Sequence, residues 1–348
     1  MPEFALPGSP SVSERAAGLS LLLEKQSRKA LRLTPGFGLD QLQRRTVGRR
    51  QAMLNRAGIG MLADGEDGFP DLLADIPDAP LALYLRGDPA ALQGTAIAIV
   101  GARRASRTGQ ELARVLAAEL AGAGVVIISG LALGVDAAAH QGALDAGGRT
   151  IAVLGSGPEQ ITPLANTRLG ERILGNAGLL LSEYPPGTPA APFRFPERNR
   201  LISGLSLGVV VVEADERSGS LITARLAAEQ GREVMAVPGV PGYPNSTGTN
   251  RLLKTGAVLV ERAEDVLHAI GAYGGPGRPI PNPPNVEKLT MEQRKLLDLL
   301  DGQARNLDEL AGAVSEPVSA CAIAMTELEL EGFVQRVSGG YIRRPSEF

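Results

Sequence analysis

Between Phe193 and Gly204 the chain reads Phe-Arg-Phe-Pro-Glu-Arg-Asn-Arg-Leu-Ile-Ser-Gly. Three arginines, one amide and two phenyl rings fall within eight residues of a protein with only seven Phe, five Tyr and no Trp. A guanidinium is a planar fork that matches phosphate oxygens, and a phenyl ring offers a face on which a base stacks. Together they suit a single-stranded nucleic acid. The same residues also suit a surface loop whose rings are tucked into a core, and the stretch alone leaves both readings open.

A second set of residues recurs at the ends of apolar runs. Gly101-Ala-Arg103-Arg104-Ala-Ser106 follows the first run, Ser129-Gly130-Leu-Ala-Leu-Gly134-Val-Asp136 the second and Gly155-Ser156-Gly157 the third. Glu213 and Ser218-Gly219-Ser220 follow the fifth, and Pro238-Gly239 leads from the sixth to Gly248-Thr249-Asn250. Small residues let backbone approach a ligand, and N–H groups at helix starts favour anions. Lys254-Thr255 follows Leu253 rather than Gly, so there is no Walker A loop, and no Gly-x-Gly-x-x-Gly begins at Gly101 or Gly155. An ATPase and a standard dinucleotide dehydrogenase are therefore not expected. The acid–base candidates are Asp136, Glu183, Glu213, Asp215 and Glu229, none paired at a spacing that demands catalysis. Asp136 reads as a helix cap and His140 as a structural histidine. Glu213 is either a general acid or a residue that orders the Ser218–Ser220 loop.

The elements that must position these residues follow from hydrophobic patterning. Apolar, β-rich runs lie at Ala96–Val100, Val125–Ile128, Ile151–Leu154, Leu179–Leu181, Val209–Val212, Val234–Val237 and Ala257–Val260. Helical stretches separate most of them, at Gly109–Ala123, Val135–Ala146, Asn166–Gly175 and Ser220–Gly231. Continuous apolar strands alternating with helices predict a doubly wound α/β domain with a parallel sheet covered on both faces. Ligands in such sheets bind outside the carboxyl ends of the strands, where the glycine-rich turns sit. Residues 11 to about 62 read as short helices, and Lys25 to Arg56 carries nine basic residues against one acid, Asp40. That run is either a phosphate-binding face or a solvated one. Phe69 to Asp88 reads as a Pro-punctuated connector. Past a Gly/Pro linker, helices are expected at Met291–Leu300, Leu307–Val314 and Val318–Leu330, then a hairpin through Ser-Gly-Gly, which is the order of a winged helix. Its third helix has Glu327 and Glu329 and no Lys or Arg, so it lacks the arginines and amides that a major-groove helix usually offers to base edges, which points to a protein-interaction or degenerate module.

Net charge is −3, so any nucleic-acid binding must come from local patches. One cysteine, Cys321, excludes an internal disulfide framework and fits a reducing cytoplasm; with two histidines it leaves no zinc cluster. No metal or cofactor is expected. There is no signal-peptide pattern and no apolar run of membrane-spanning length.

The motifs occur in an order that closely resembles the DprA/Smf family of DNA-processing proteins. The matching text is Ile-Val-Gly-Ala-Arg-Arg-Ala-Ser, Ser-Gly-Leu-Ala-Leu-Gly-Val-Asp-Ala-Ala-Ala-His, Ser-Glu-Tyr-Pro-Pro-Gly, Phe-Pro-Glu-Arg-Asn-Arg-Leu-Ile-Ser-Gly-Leu, Val-Val-Val-Glu-Ala, Arg-Ser-Gly-Ser-Leu-Ile-Thr-Ala-Arg and Gly-Thr-Asn, between about 97 and 253. The resemblance implies a helical sterile-alpha-motif-like domain over 1–68, an extended Rossmann-like domain over 69–270, a linker over 271–288 and a winged helix over 289–348. It further implies a homodimer that binds single-stranded DNA in the cytoplasm, protects incoming DNA and loads the RecA recombinase during natural transformation, without being an enzyme. Carried over by position, Arg103 would hold phosphate, Phe195 would contact a base, and Arg198 and Arg200 would line the same pocket. Gly101, Ser106, Ser129, Gly130, Asn199, Ser218, Gly219, Ser220 and Asn250 would complete it. Two departures stand out: Pro192 replaces a Lys frequent in the family, and Arg107-Thr108 replaces an aromatic after Ser106. The sheet domain resembles more distantly the nucleoside-monophosphate phosphoribohydrolases of the lysine-decarboxylase-like group; a nucleotide-binding hydrolase would use Glu213 or Glu229 as its acid.

Overall fold

A computed structural model of the chain describes residues 54, 56–271, 289–300, 305–314, 316–330, 333–337 and 340–343. The expected helices before residue 54, nearly all of the basic segment and the linker lie outside the described residues. The chain divides into two compact units, Met1–Ala272 and Tyr273–Phe348.

The first unit is built on a nine-stranded sheet of order β1-β2-β6-β5-β4-β3-β7-β8-β9. Its strands are β1 (Gly60–Ala63), β2 (Ala82–Gly87), β3 (Ala96–Val100), β4 (Val126–Ser129), β5 (Thr150–Val153), β6 (Leu179–Ser182), β7 (Gly208–Val211), β8 (Glu233–Ala236) and β9 (Val258–Leu259). β3 to β9 pair in parallel, and they match the seven apolar runs to within a residue or two. β1 and β2 add an antiparallel margin next to β6. Both were missed: residues up to about 62 were expected to be helical, and Phe69 to Asp88 a connector. The prolines at 77 and 80 stop short of β2, whose Ala82–Tyr84 segment is completely buried.

Side-chain alternation along β3 shows why helices cover both faces. Ala96, Ala98 and Val100 pack with Leu201, Ile202, Ala224 and Ala227. Ile97 and Ile99 point the other way, onto Leu116, Leu120 and Ala139. The helix after β3 (Arg107–Gly122) therefore lies on one face and the helix after β7 (Gly219–Glu229) on the other. β3 and β7 are neighbours, so the chain departs in opposite directions from adjacent strand ends and opens a crevice there.

The Phe193–Gly204 stretch is not a loop. Arg194–Gly204 forms a helix. Pro196 is tolerated because first-turn N–H groups have no intrahelical partner.

In the second unit the helices are Met291–Asp298, Leu307–Val314 and Val318–Leu330, followed by the antiparallel strands β10 (Val334–Val337) and β11 (Gly340–Arg343). Thr290 caps the first helix by accepting from the Gln293 N–H at 3.2 Å. Leu296, Leu310, Met325, Leu328 and Phe333 form its core. The expected Ser-Gly-Gly turn falls partly outside the described residues.

Candidate nucleic-acid interface

The crevice at the carboxyl ends of β3 and β7 holds a cavity of about 440 Å³. The turn after β3 supplies Gly101, Arg103 and Arg104, the N-terminus of the Gly219–Glu229 helix supplies Ser218, Gly219 and Ser220, and the Arg194–Gly204 helix supplies Phe195, Arg198, Asn199 and Ile202. The last four are spaced i, i+3, i+4 and i+7, the residues of one helical face.

Helical geometry also turns one expected residue away from the cavity. Arg200 lies two positions beyond Arg198, about 200° around the helix axis. It does not line the cavity. Its guanidinium instead pairs with the buried Glu183 and reaches Asp78 at 3.4 Å. The resemblance implied that both arginines line one pocket; on a helix they face different sides.

Arg198 forms the floor and is itself buried. Its Nη1 donates to the Gly130 carbonyl at 2.9 Å and to the Val153 carbonyl. A Cβ on Gly130 would stand 2.5 Å from that nitrogen, which explains glycine there. Asp136 faces Arg198, and its Oδ2 accepts from Gly130 N at 3.1 Å and Ala132 N at 3.4 Å. It thus braces the loop after β4 rather than capping its own helix. Burial pulls Arg198 down to about 10, with Asp136 opposing that pull. Burial likewise raises the Asp136 carboxyl, with Arg198 and the two N–H groups resisting. His140, behind them, has Nδ1 2.7 Å from Thr150 Oγ1, and burial holds it down to about 3 and hence neutral. It is a structural histidine.

The rim differs in character. Arg103 and Arg104 are exposed. The Arg103 guanidinium lies over the Phe195 ring, 5.5 Å from its centroid, so an exposed cation and a half-buried phenyl face share one lip. Opposite, Ser218 and Ser220 hydroxyls lie 2.8 Å apart at a helix N-terminus, where backbone N–H groups favour an anion. Asn199 Nδ2 donates weakly to the Gly219 carbonyl at 3.4 Å.

The remaining expected residues sit outside the cavity lining. Ser129 is buried, donating to the Ile99 carbonyl at 2.6 Å, and Gly130 lies beneath Arg198. Ser106 caps the Arg107–Gly122 helix, its Oγ accepting from Gly109 N at 2.9 Å. Asn250 staples the backbone of Gly239, donating to its carbonyl at 2.9 Å and accepting from its N–H at 3.1 Å. Glu213 reaches the turn after β3 through Ser106 and not the Ser218–Ser220 loop. Phe193 is 60% exposed beside the Arg194 guanidinium, so its ring is not tucked into a core. Asn245, which lines the cavity and holds the Arg104 carbonyl at 3.1 Å, was missed, because nothing in its local sequence announces that contact. Among the described residues no group of three or more His, Cys, Asp or Glu could hold a metal ion, and no helix is long and apolar enough to cross a membrane.

A mostly parallel, doubly wound sheet with an anion-favouring crevice at its strand-order reversal defines a Rossmann-like ligand-binding domain, here followed by a winged helix. Residues 60–271 match the family model described as DNA recombination-mediator protein A, and residues 280–340 match the DprA winged helix domain. Protein Smf of Escherichia coli (strain K12) is 42% identical over 285 residues, covering 81% of this chain and 76% of that protein. The DNA processing protein DprA of Streptococcus pneumoniae (strain ATCC BAA-255 / R6) is 46% identical over 202 residues, 58% of this chain and 71% of that one. An X-ray structure of S. pneumoniae DprA superposes with a TM-score of 0.64 at 35% identity, covering 75% of this chain and 98% of that chain. DNA processing protein A of Helicobacter pylori, whose structure was described for its single-stranded DNA binding mode, gives a TM-score of 0.56 at 32% identity, covering 62% and 96% respectively. The chain belongs to the DprA/Smf family of DNA-processing proteins.

Proposed function

We propose that this chain is a non-enzymatic, single-stranded-DNA-binding recombination mediator. It acts as a homodimer through its sheet domain, protects incoming DNA and loads RecA during natural transformation. The observation that carries the binding step is the shared rim: an exposed guanidinium, the phenyl face it lies over and a helix N-terminus surround a single cavity. A strand offers a matching phosphate and base to those groups. The H. pylori relative, described for binding single-stranded DNA, supports the same reading.

The test is fluorescence anisotropy with labelled oligo-dT across about 50 to about 200 mM salt, where counterion release makes affinity fall with salt. Arg103→Ala is expected to weaken binding to every sequence about fivefold near 0.1 M salt. It should also flatten the log–log slope by about 0.7, the value for one phosphate on a single strand. A variant that matches the parent in both affinity and slope removes Arg103 from the site. Deleting 289–348 is expected to leave oligo-dT affinity within about twofold, because the third helix of that unit carries acids and no cation. A larger loss in the same assay would place a strand contact there.

A further inference from the structure

An acid beside an anion site is electrostatically unfavourable, and Glu213 stands at the carboxyl end of β7 next to this one. Its hydrogen bonds explain its presence. The Glu213 carbonyl accepts from Ala102 N at 2.7 Å. Its side chain accepts from the other end of the same turn: Oε2 from Ser106 N at 2.8 Å and Oε1 from Ser106 Oγ at 2.5 Å. Asn245 Nδ2 joins at 3.1 Å and also donates to the Arg104 carbonyl at 3.1 Å. One residue therefore clamps both ends of the turn that presents Arg103 and Arg104. Gly109 leaves the carboxylate its space, since a Cβ there would overlap it.

We propose that Glu213 is a positioning residue for the strand site, holding the Arg103–Arg104 turn so that the Arg103 guanidinium is presented at the rim beside Phe195. The inference rests on the single-stranded-DNA reading above. Glu213 touches no strand; it acts through the turn.

Two forces of opposite sign make this testable. Removing a negative charge near a phosphate site strengthens binding by Coulomb's law. Releasing the turn weakens it. Glu213→Ala does both, whereas Glu213→Gln removes only the charge: its amide oxygen can keep Ser106 N and Asn245, and its NH₂ can face Ser106 Oγ. In oligo-dT anisotropy Glu213→Ala is expected to bind roughly two- to fivefold more weakly, with a slope flattened toward that of Arg103→Ala, and Glu213→Gln at parent affinity or tighter. In the Arg103→Ala background Glu213→Ala should bring no further loss, only the small gain from removing its charge, since the contact that the released turn would cost is already gone. Glu213→Ala binding as tightly as the parent, or an undiminished loss in the Arg103→Ala background, overturns the proposal. A parent chain with no salt-dependent strand binding would instead overturn the reading on which it rests.

Discussion

Arg200→Ala is expected to cost about 3–5 kcal/mol of folding stability, the usual result of removing one partner of a buried ion pair. Arg200 and Glu183 are 9% and 3% exposed. Their pair joins the end of β6 to the helix that carries Phe195 and Arg198, and Gln230 Nε2 anchors the Arg200 carbonyl at 3.1 Å. Burial pushes the Glu183 carboxyl up to about 7, against the pull of Arg200. The sign of the pH dependence follows. A carboxyl raised on folding holds its proton longer in the native state than in the unfolded one. Its contribution to stability is therefore complete below the ordinary carboxylate range and is lost as pH rises through about 7. Without Arg200 the carboxyl rises further, so the variant keeps losing stability above pH 7 where the parent has levelled off. Urea unfolding near pH 5.5 and pH 8 should show a larger deficit at the higher pH. Replacing both partners, Arg200→Met with Glu183→Met, should recover most of the loss, because no uncompensated charge is then buried. A deficit independent of pH would show that Glu183 does not carry its burial cost into the variant.

The contrast between Arg198 and Arg200 shows where sequence reading reached its limit. The seven parallel strands were legible because each is buried on both faces and reads as an unbroken apolar run. The crevice was legible too, since small residues cluster at strand ends that a doubly wound sheet brings to one edge. The Arg194–Gly204 helix was not. Its buried residues include Arg194, Arg198 and Arg200, so the apolar period that betrays an amphipathic helix is written partly in charges, and Pro196 adds a break signal. Once the helix is known, the spacing of Phe195, Arg198, Asn199 and Ile202 picks out the cavity face and turns Arg200 away. Contacts such as Glu213 to Ser106 or Asn245 to Arg104 join residues 107 and 141 positions apart. No local pattern encodes such partners; the sheet order does. β1 and β2 escaped for another reason: they add an antiparallel margin that breaks the strand–helix alternation on which the expectation rested.

The largest effect on strand binding is expected from the ring rather than from the rim cation. In the free protein the Arg103 guanidinium occupies the Phe195 face, an exposed cation–π contact worth about 0.5–1 kcal/mol. A base stacking on an aromatic ring contributes about 1–3 kcal/mol. On the proposed reading a base would displace the guanidinium, and the freed cation would take a phosphate, so that little is lost in the exchange. Phe195→Ala removes the platform and is expected to weaken oligo-dT binding about 5- to 150-fold, the affinity equivalent of that stacking energy. Phe195→Tyr keeps a π-face and should bind within about threefold of the parent, while Phe195→Leu, apolar but without a face, should fall between. An abasic strand of the same length separates stacking from charge. It should bind the parent and Phe195→Ala alike, because its phosphates are intact and nothing remains to stack. Equal loss on the abasic and the dT strand would mean that Phe195 serves only to support Arg103, and undiminished dT binding by Phe195→Ala would move the base contact away from this ring altogether.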